Sequence, residues 1–253
     1  MSEAKCRFCQ TPIHDVVVDL GMSPLANSYL SKAQILKSEP FYPLCAKVCS
    51  NCLLVQVDEL ESPSHIFSDY AYFSSVSKSW LTHAQAFAEM AVKRFDLTGK
   101  SQVVEVASND GYLLQYFKKT GVPVLGIEPA ANVASVALAK GVPTTVKFFG
   151  VTTAESLKAE GKAADLLIGN NVLAHVPDLN DFVKGLQILL KANGVISIEF
   201  PHLLNLLSQN QFDTIYHEHF SYFSLFTVQK IFKAHGLEIF DVEELPTLSL
   251  IHI

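Results

Sequence analysis

Two Cys-x-x-Cys pairs, Cys6-Arg-Phe-Cys9 and Cys49-Ser-Asn-Cys52, constrain this chain more than any other feature. Zinc takes thiolates in a tetrahedron, and one tight Cys-x-x-Cys turn supplies two of them, so two such knuckles complete one site. Four thiolates leave no open position for water, and the metal expected here is structural, not catalytic. Redox pairs or incidental thiols are the alternatives, and two pairs in a chain with reduced thiols favour zinc. The gap between Cys9 and Cys49 is longer than a compact ribbon usually has. It is expected to carry short strands of its own, with Val16-Val17-Val18-Asp19-Leu20-Gly21 reading as strand then turn. Cys45, just before the second knuckle, reads as a buried spare thiol. The opening Met-Ser-Glu-Ala-Lys-Cys lacks the apolar core of a signal peptide, so a cytoplasmic, reducing location is expected.

Composition narrows the partners. With 49% hydrophobic and 17% charged residues the chain can bury a real core. Its net charge of -6 speaks against a duplex nucleic-acid surface. No apolar run approaches the roughly 18 residues of a membrane span. Glu61-Ser62-Pro63-Ser64 is a plausible boundary, giving a zinc module over residues 1–65 and a second domain over 66–247. After the boundary, Trp80 to Phe95 shows a helical apolar face.

From Gln102 onward strands and helices alternate. Strands are expected at Gln102–Ala107, Pro123–Ile127, Asp165–Gly169, Gly194–Glu199 and Leu237–Val242. Helices are expected around Leu113–Phe117, from Pro129 to Lys140, at Asp178–Lys191 and at Leu225–His235. That alternation is an α/β fold with a parallel sheet covered on both faces, and ligands bind at the carboxyl ends of its strands. Small residues follow the first strand (Ala107, Ser108, Gly111), where a ligand can approach the backbone closely. Glu128 closes the second strand, placed to accept hydrogen bonds from both ribose hydroxyls. A dinucleotide site would show Gly-x-Gly-x-x-Gly for its pyrophosphate, whereas here Ala107-x-Asn109-x-Gly111 stands in that place. Glu105 and Asp110 would repel a pyrophosphate and suit a cation, which points to S-adenosylmethionine (SAM) with its positive sulfonium.

Six segments occur in order: the paired cysteines; Asp69-Tyr70-Ala71-Tyr72-Phe73-Ser74-Ser75; Glu105-Val106-Ala107-Ser108-Asn109-Asp110-Gly111; Gly126-Ile127-Glu128-Pro129; Asn170-Asn171-Val172-Leu173-Ala174-His175-Val176; and Tyr216-His217-Glu218-His219-Phe220-Ser221-Tyr222. Together they resemble the sugar C-methyltransferases of deoxysugar biosynthesis, over residues 1 to about 247. The resemblance implies a class I SAM methyltransferase, Rossmann-like, behind a small N-terminal zinc-binding module. It further implies SAM, structural zinc and a nucleotide-linked 4-keto sugar methylated at C3. The cofactor set it implies is Glu105, Ala107, Ser108, Asn109, Gly111, Glu128, Pro129, Asn170 and Asn171. Members of that family continue into a further C-terminal domain, whereas this chain stops at Leu248-Ser249-Leu250-Ile251-His252-Ile253. That hexapeptide matches one reading frame of a sequencing-adapter end. The expectation is a truncated gene with a non-native tail at 248–253, the alternative being a genuine short apolar strand.

Carbon methylation needs a carbanion equivalent, and a 4-keto group acidifies the C3 hydrogen. One base and one donor to the enolate oxygen then suffice, and histidine has a suitable pKa without tuning. In an extended segment His217 and His219 face one side while Tyr216 and Glu218 face the other. A turn would break that rule, so periodicity does not choose the base. The resemblance implies His219 as base, Glu218 as its partner or a sugar-hydroxyl ligand, and Tyr216 and His175 at the sugar or the enolate oxygen. Tyr70 is preferred over Tyr72 for the site. His14, His65, His83, His202 and His235 carry no pattern and read as surface or satisfied core. Rival readings are a SAM-binding module without turnover and a nicotinamide-dependent sugar oxidoreductase; the absent glycine fingerprint argues against the second.

Overall fold

The computed structural model places the strands of the chain in two sheets. It describes residues 4–62, 70–245 and 250–252. The boundary residues Pro63 and Ser64, together with His65 and Asp69, lie outside the described residues, as do residues 246–249 and 253. The chain divides into two units: Met1–Ser62 with Leu173–Asn180 and Phe200–His252, and Pro63–Val172 with Asp181–Glu199.

The first unit is built on an antiparallel sheet. Strands β1 (Asp15–Ser23), β2 (Tyr42–Val48), β3 (Val55–Val57) and β9 (Ser221–Tyr222) pair in that order. The turn expected at Gly21 is instead a bulge. β1 continues to Ser23, its register on β2 shifts between Asp19 and Met22, and Gly21 takes φ 75° with its N–H donating to Asp19 Oδ1 at 2.9 Å. An extra residue at positive φ lets the strand bend without ending. The helices α6 (Leu203–Ser208) and α7 (Leu225–Ala234) belong to the same unit. Leu203 and Leu206 pack with Leu44, Ala46, Val55, Val57, Ile215 and Tyr222 into its core. Leu237–Val242, expected as a strand, takes no strand assignment and leaves Phe240 exposed. The backbone ladder forms only afterwards, between β10 (Glu243–Glu244) and β11 (Leu250–His252). Alternation alone does not make a strand where no sheet edge is offered.

The second unit holds parallel strands in the order β8-β7-β4-β5-β6: β4 (Val103–Val106), β5 (Val124–Ile127), β6 (Thr144–Thr145), β7 (Ala164–Asn170) and β8 (Leu190–Pro201). β4 and β5 are buried at every position, as strands covered on both faces must be. Helix α1 (Lys78–Arg94) is capped by Ser77, whose Oγ accepts the Trp80 N–H, and it buries Ala84, Phe87, Ala88 and Ala91. Those side chains join Val103, Leu113, Leu114, Phe117, Leu166 and Ile168 in the main core. Around the sheet run α2 (Leu114–Lys119), α3 (Ala131–Ala139), α4 (Val151–Ala159) and α5 (Leu179–Leu189). Pro129, expected in the first turn of α3, lies before its N-cap Ala130, because Glu128 reaches past the proline to take the Ala130 N–H. Among the described residues no helix is long and apolar enough to cross a membrane.

Gly185 on α5 faces the backbone at the start of α4. A Cβ there would stand 2.9 Å from the Gly150 carbonyl carbon and 3.0 Å from its oxygen. Backbone cannot give way as a side-chain tip can. Gly185→Ala should therefore destabilise the fold by about 1–3 kcal/mol, the usual range for overpacking. Urea unfolding checks this, and a wild-type midpoint would show that the two helices separate freely.

Candidate functional site

The cysteine pairs come together. Cys6, Cys9, Cys49 and Cys52 place their sulfurs within 4.8 Å of one another, with Cys6–Cys52 at 3.4 Å and Cys9–Cys49 at 3.5 Å. A zinc tetrahedron with Zn–S near 2.3 Å has an edge of about 3.8 Å, so the four fit the metal. The two knuckles repeat one geometry. Gln10 N–H donates to Cys6 O and Leu53 N–H to Cys49 O, both at 2.9 Å, and Gln10 and Leu53 both take φ above 60°. Neither position is glycine, so composition alone did not reveal the left-handed step. Cys45 stands apart on β2, half-buried, its thiol pushed up by burial.

The loop after β4 is built on alternating left-handed residues: Ala107 at φ 56°, Asn109 at 48° and Gly111 at 75°. The positions that replace the glycine fingerprint thus keep its backbone, at a cost of roughly 1–2 kcal/mol for a residue with a Cβ. Gly111 is needed as well for space, since a Cβ would meet Val142 at 3.1 Å. Glu128 holds the loop. Its Oε2 accepts the Asn109 N–H and its Oε1 the Ala130 N–H, each at 2.9 Å. Burial raises its pKa, and these two N–H groups work in the other direction. Each oxygen keeps a further lone pair, the requirement for a ribose diol. Ser108 Oγ is buried without a partner beside Gly126, and Pro129 is half-buried at the bend that follows Glu128.

Glu105 is fully buried on β4; burial, and then the charge of Glu128, hold its pKa well above the usual carboxylate range, with the Tyr112 hydroxyl working in the other direction. Asn170 ends β7 with its Oδ1 unpartnered, and Asn171 follows at φ 52°. Asp110 does not serve as a free counter-charge: Lys140 Nζ lies 2.9 Å from its Oδ2, and Ser75 Oγ donates to the same atom. Orphaned acceptors and an uncompensated carboxylate fit a cofactor that carries ribose hydroxyls and positive charge.

Asn109 and Asn132 each hold residues of the Tyr70–Ser77 segment. Asn109 accepts from the Ser74 N–H at 2.8 Å and donates to Tyr72 O at 3.1 Å. Asn132 accepts from the Tyr70 N–H at 3.2 Å and donates to Tyr70 O at 2.9 Å. Tyr70 is half-buried, whereas Tyr72 is exposed.

The other unit gathers Tyr216, Glu218, His219 and His175. Tyr216–His219 is a turn, closed by the His219 N–H on Tyr216 O at 3.0 Å, so strand alternation does not apply. Tyr216 and His219 meet, with Oη to Nε2 at 2.8 Å. His219 Nδ1 lies 2.9 Å from Thr214 O and must donate there. Nε2 therefore carries the lone pair and accepts the tyrosine O–H. The His175 ring packs edge-on against His219 at 4.7 Å, and its Nδ1 donates to Glu218 O at 2.9 Å. Burial drives His175 down to about 4. Burial, with His175 adding to it, takes His219 to about 3. Glu218 Oε1 accepts from Asn27 at 2.8 Å, while Oε2 is buried and unpartnered. His217 turns away: its Nε2 donates to Pro43 O at 3.2 Å, and its ring packs on Tyr42. Phe220, Tyr222 and Phe223 are buried core. Thr214 and Asn27 were not legible beforehand, because nothing in their neighbourhood marks them as partners of residues in the turn.

Known proteins match the chain in two stretches of sequence. A family model described as "Putative zinc binding domain" matches residues 6–67, and one described as "Methyltransferase domain" matches residues 80–242. C-methyltransferase NovU of Streptomyces niveus is 37% identical over 238 residues, covering 94% of this chain and 57% of that protein. The chain thus spans little more than half the length of that relative. Among solved structures, magnesium protoporphyrin IX methyltransferase (ChlM) from Synechocystis PCC 6803 matches with a TM-score of 0.53 at 15% identity, over 68% of this chain and 81% of that one. A S-adenosylmethionine-dependent methyltransferase from Clostridium acetobutylicum ATCC 824 matches with a TM-score of 0.53 at 12% identity, over 68% and 89%. At such identities the two structures bear on fold alone.

Freshly purified, reduced protein should hold about one zinc per chain, as a single four-thiolate site requires. Cys49→Ser should loosen the N-terminal unit, since metal binding is coupled to folding. Elemental analysis decides the first point, and a metal-free protein would refute the site.

The histidines give a pH dependence. Both have folded pKa values, about 4 and about 3, below the roughly 6.5 of an unfolded histidine. The unfolded chain therefore binds protons that the folded chain refuses as the pH falls through that window. Stability present above about pH 6.5 is lost on acidification toward the folded values. Replacing both by Asn should flatten the decline between pH 6.5 and 4.5 in urea titrations; an unchanged slope would show that the rings are not desolvated.

Proposed function

The chain belongs to the methyltransferase-domain family, and on that premise we propose that it is a SAM-dependent C-methyltransferase acting at C3 of a nucleotide-linked 4-keto deoxysugar. The observation that carries this reading is the Tyr216–His219 turn, which holds a neutral imidazole lone pair against a phenolic hydroxyl at 2.8 Å. The C-methyltransferase relative supports carbon as the methyl acceptor. A cytoplasmic, reducing location fits the free thiols that the zinc site needs.

SAM, when bound, supplies an electrophilic methyl group. The cofactor loop residues Ala107, Ser108, Asn109 and Gly111 offer backbone at close range, and Glu128 takes the ribose. His219 removes the C3 proton at Nε2, the nitrogen that carries the lone pair. The Tyr216 hydroxyl must turn away for that, and it becomes the donor to the sugar's 4-oxygen as negative charge builds there. Thr214 O steadies the imidazolium through Nδ1–H. The electron pair of the broken C–H bond moves into the enolate; bound SAM would supply the methyl for the new C3–carbon bond as its S–CH3 bond broke, sulfur keeping that pair as the neutral thioether of S-adenosylhomocysteine and the ketone being restored. Negative charge on the substrate offsets the desolvation that makes His219 a weak base beforehand. Glu218 Oε2, buried and unpartnered, is available to a sugar hydroxyl. His175 braces the turn through Glu218 O.

His219→Ala should abolish both methyl transfer and solvent deuterium exchange at C3, by at least the roughly 10²–10⁴-fold of a positioned general base. SAM binding should survive. The assay uses a panel of 4-keto-6-deoxy nucleotide sugars and a SAM analogue that cannot donate methyl. His217→Ala should cost less. Exchange at the wild-type rate in His219→Ala would move the base to His175 or Tyr216.

A further inference from the structure

The segment between the two cysteine pairs is longer than a metal-binding ribbon needs, and part of it reaches the histidine turn. Residues 24–41 join β1 to β2, in the same unit as Tyr216–His219. Asn27 stands early in that connection, and its Nδ2 donates to Glu218 Oε1 at 2.8 Å. Where β2 begins, Pro43 O takes His217 Nε2 at 3.2 Å, and the Tyr42 ring meets the His217 ring edge-on at 6.0 Å. The two residues before His219 are thus each held from one stretch of chain.

Asn27 is exposed, yet its backbone is shaped for the contact. It takes φ 51°, a conformation in which asparagine is at ease where most residues with a Cβ are not. The Ser28 N–H donates to Ala26 O and the Tyr29 N–H to Asn27 O, the second at 3.0 Å, which closes the bend around it.

Glu218, at the other end of the bond, is 2% exposed. Burial raises its pKa, and the Asn27 N–H works in the other direction, toward the charged form. A carboxylate kept for packing alone would have both oxygens completed, because an unpartnered buried acceptor costs about 1–3 kcal/mol. Here Oε1 is completed and Oε2 is not. With one oxygen fixed, the other has a set direction and offers a lone pair to an incoming O–H. Titratable groups around this carboxyl are Tyr216, His217 and His219 in its own turn, Tyr42 on β2, and His175, whose Nδ1 donates to Glu218 O.

We propose that Asn27 is a positioning residue for the sugar, holding Glu218 Oε1 so that Oε2 accepts a sugar hydroxyl. This rests on the reading of the Tyr216–His219 turn as the sugar site.

Two variants tolerate the backbone at Asn27, Asn27→Asp and Asn27→Gly. The first puts an acceptor where the donor stood, so two carboxylates face each other until they share one proton. A carbon-13 NMR titration of the Glu218 carboxyl, assigned by its loss in Glu218→Gln, reads the contact without substrate. In Asn27→Asp its midpoint should move to higher pH by at least roughly one unit. Kinetics with SAM and 4-keto-6-deoxy nucleotide sugars reads the positioning. At pH 8, Asn27→Asp should raise KM for the sugar at least roughly ten-fold with little change in kcat, the mark of lost uniform binding. At pH 5.5 the shared proton restores a donor to Oε1, and the KM ratio to wild type should fall toward one. His175 and His219, at about 4 and about 3, stay neutral across that range. Asn27→Gly should raise KM less and show no recovery. An unmoved Glu218 midpoint, a loss confined to kcat, or a KM ratio equal at both pH values would overturn the proposal. Absence of turnover by the wild type would overturn the reading of the sugar site and the role of Asn27 with it, whereas the titration would still report the Asn27–Glu218 contact.

Discussion

The carboxylate of Glu128 is the joint on which the cofactor half of this protein depends. Its two oxygens take one N–H from the loop after β4 and one from the start of α3. Without that bridge, three alternating left-handed steps at Ala107, Asn109 and Gly111 would have little to hold them, and only one of the three is a glycine. The packing around the loop leaves the same message: Gly126 must be bare because Ser108 Oγ occupies the space of a Cβ. Asn109 then extends the constraint outward, its backbone bound to Glu128 and its side chain to the Tyr72–Ser74 backbone. One acidic residue at a strand end thereby organises the loop, the following helix and the segment tied to both, and still has lone pairs to spend on a ligand.

Much of this could be read from the residues in order, and the reasons for the failures are specific. The parallel strands were legible because buried strands are short apolar runs closed by turn residues, as at Val103–Val106 and Val124–Ile127. Leu237–Val242 carries a similar pattern but forms no strand, because strand formation needs a partner edge that sequence does not display. Gly21 was mistaken for a turn because a bulge and a turn make the same demand for positive φ. In the sequence Glu105 stands beside the cofactor loop, whereas Glu199 marks only the end of a strand. Yet both are charges inside apolar runs, Val104-Glu105-Val106 and Ile198-Glu199-Phe200, and that shared anomaly was the available signal. His83 showed no pattern because its meaning lies in a partner distant in sequence, Glu199. The Tyr216–His219 contact was equally hidden: it exists only because the segment turns, and periodicity assumes that it does not.

The four zinc-site cysteines and the Tyr216–His219 turn belong to one unit of the chain, and short-range contacts run between them. β3 begins three residues after Cys52 and pairs with β9, Val55 with Tyr222 and Gln56 with Ser221. β9 begins two residues after His219, and the Val57 N–H donates to Phe220 O at 3.1 Å. Arg7, inside the first knuckle, donates to Val57 O at 2.6 Å and places its guanidinium over the Phe220 ring. The Thr227 hydroxyl reaches Cys52 O at 3.5 Å. Each contact joins the two cysteine turns to the residues next to His219, on strands too short to hold their register alone. The two-residue strand β9 is fixed from one side by β3, and β3 is fixed by the knuckle before it. The orientation of the His219 lone pair is set by Thr214 O and Tyr216, within the same unit as the four cysteines. Buried imidazoles at about 3 and about 4 are tolerated only in a rigid setting, since a loosened turn would admit water and return both rings toward their ordinary basicity.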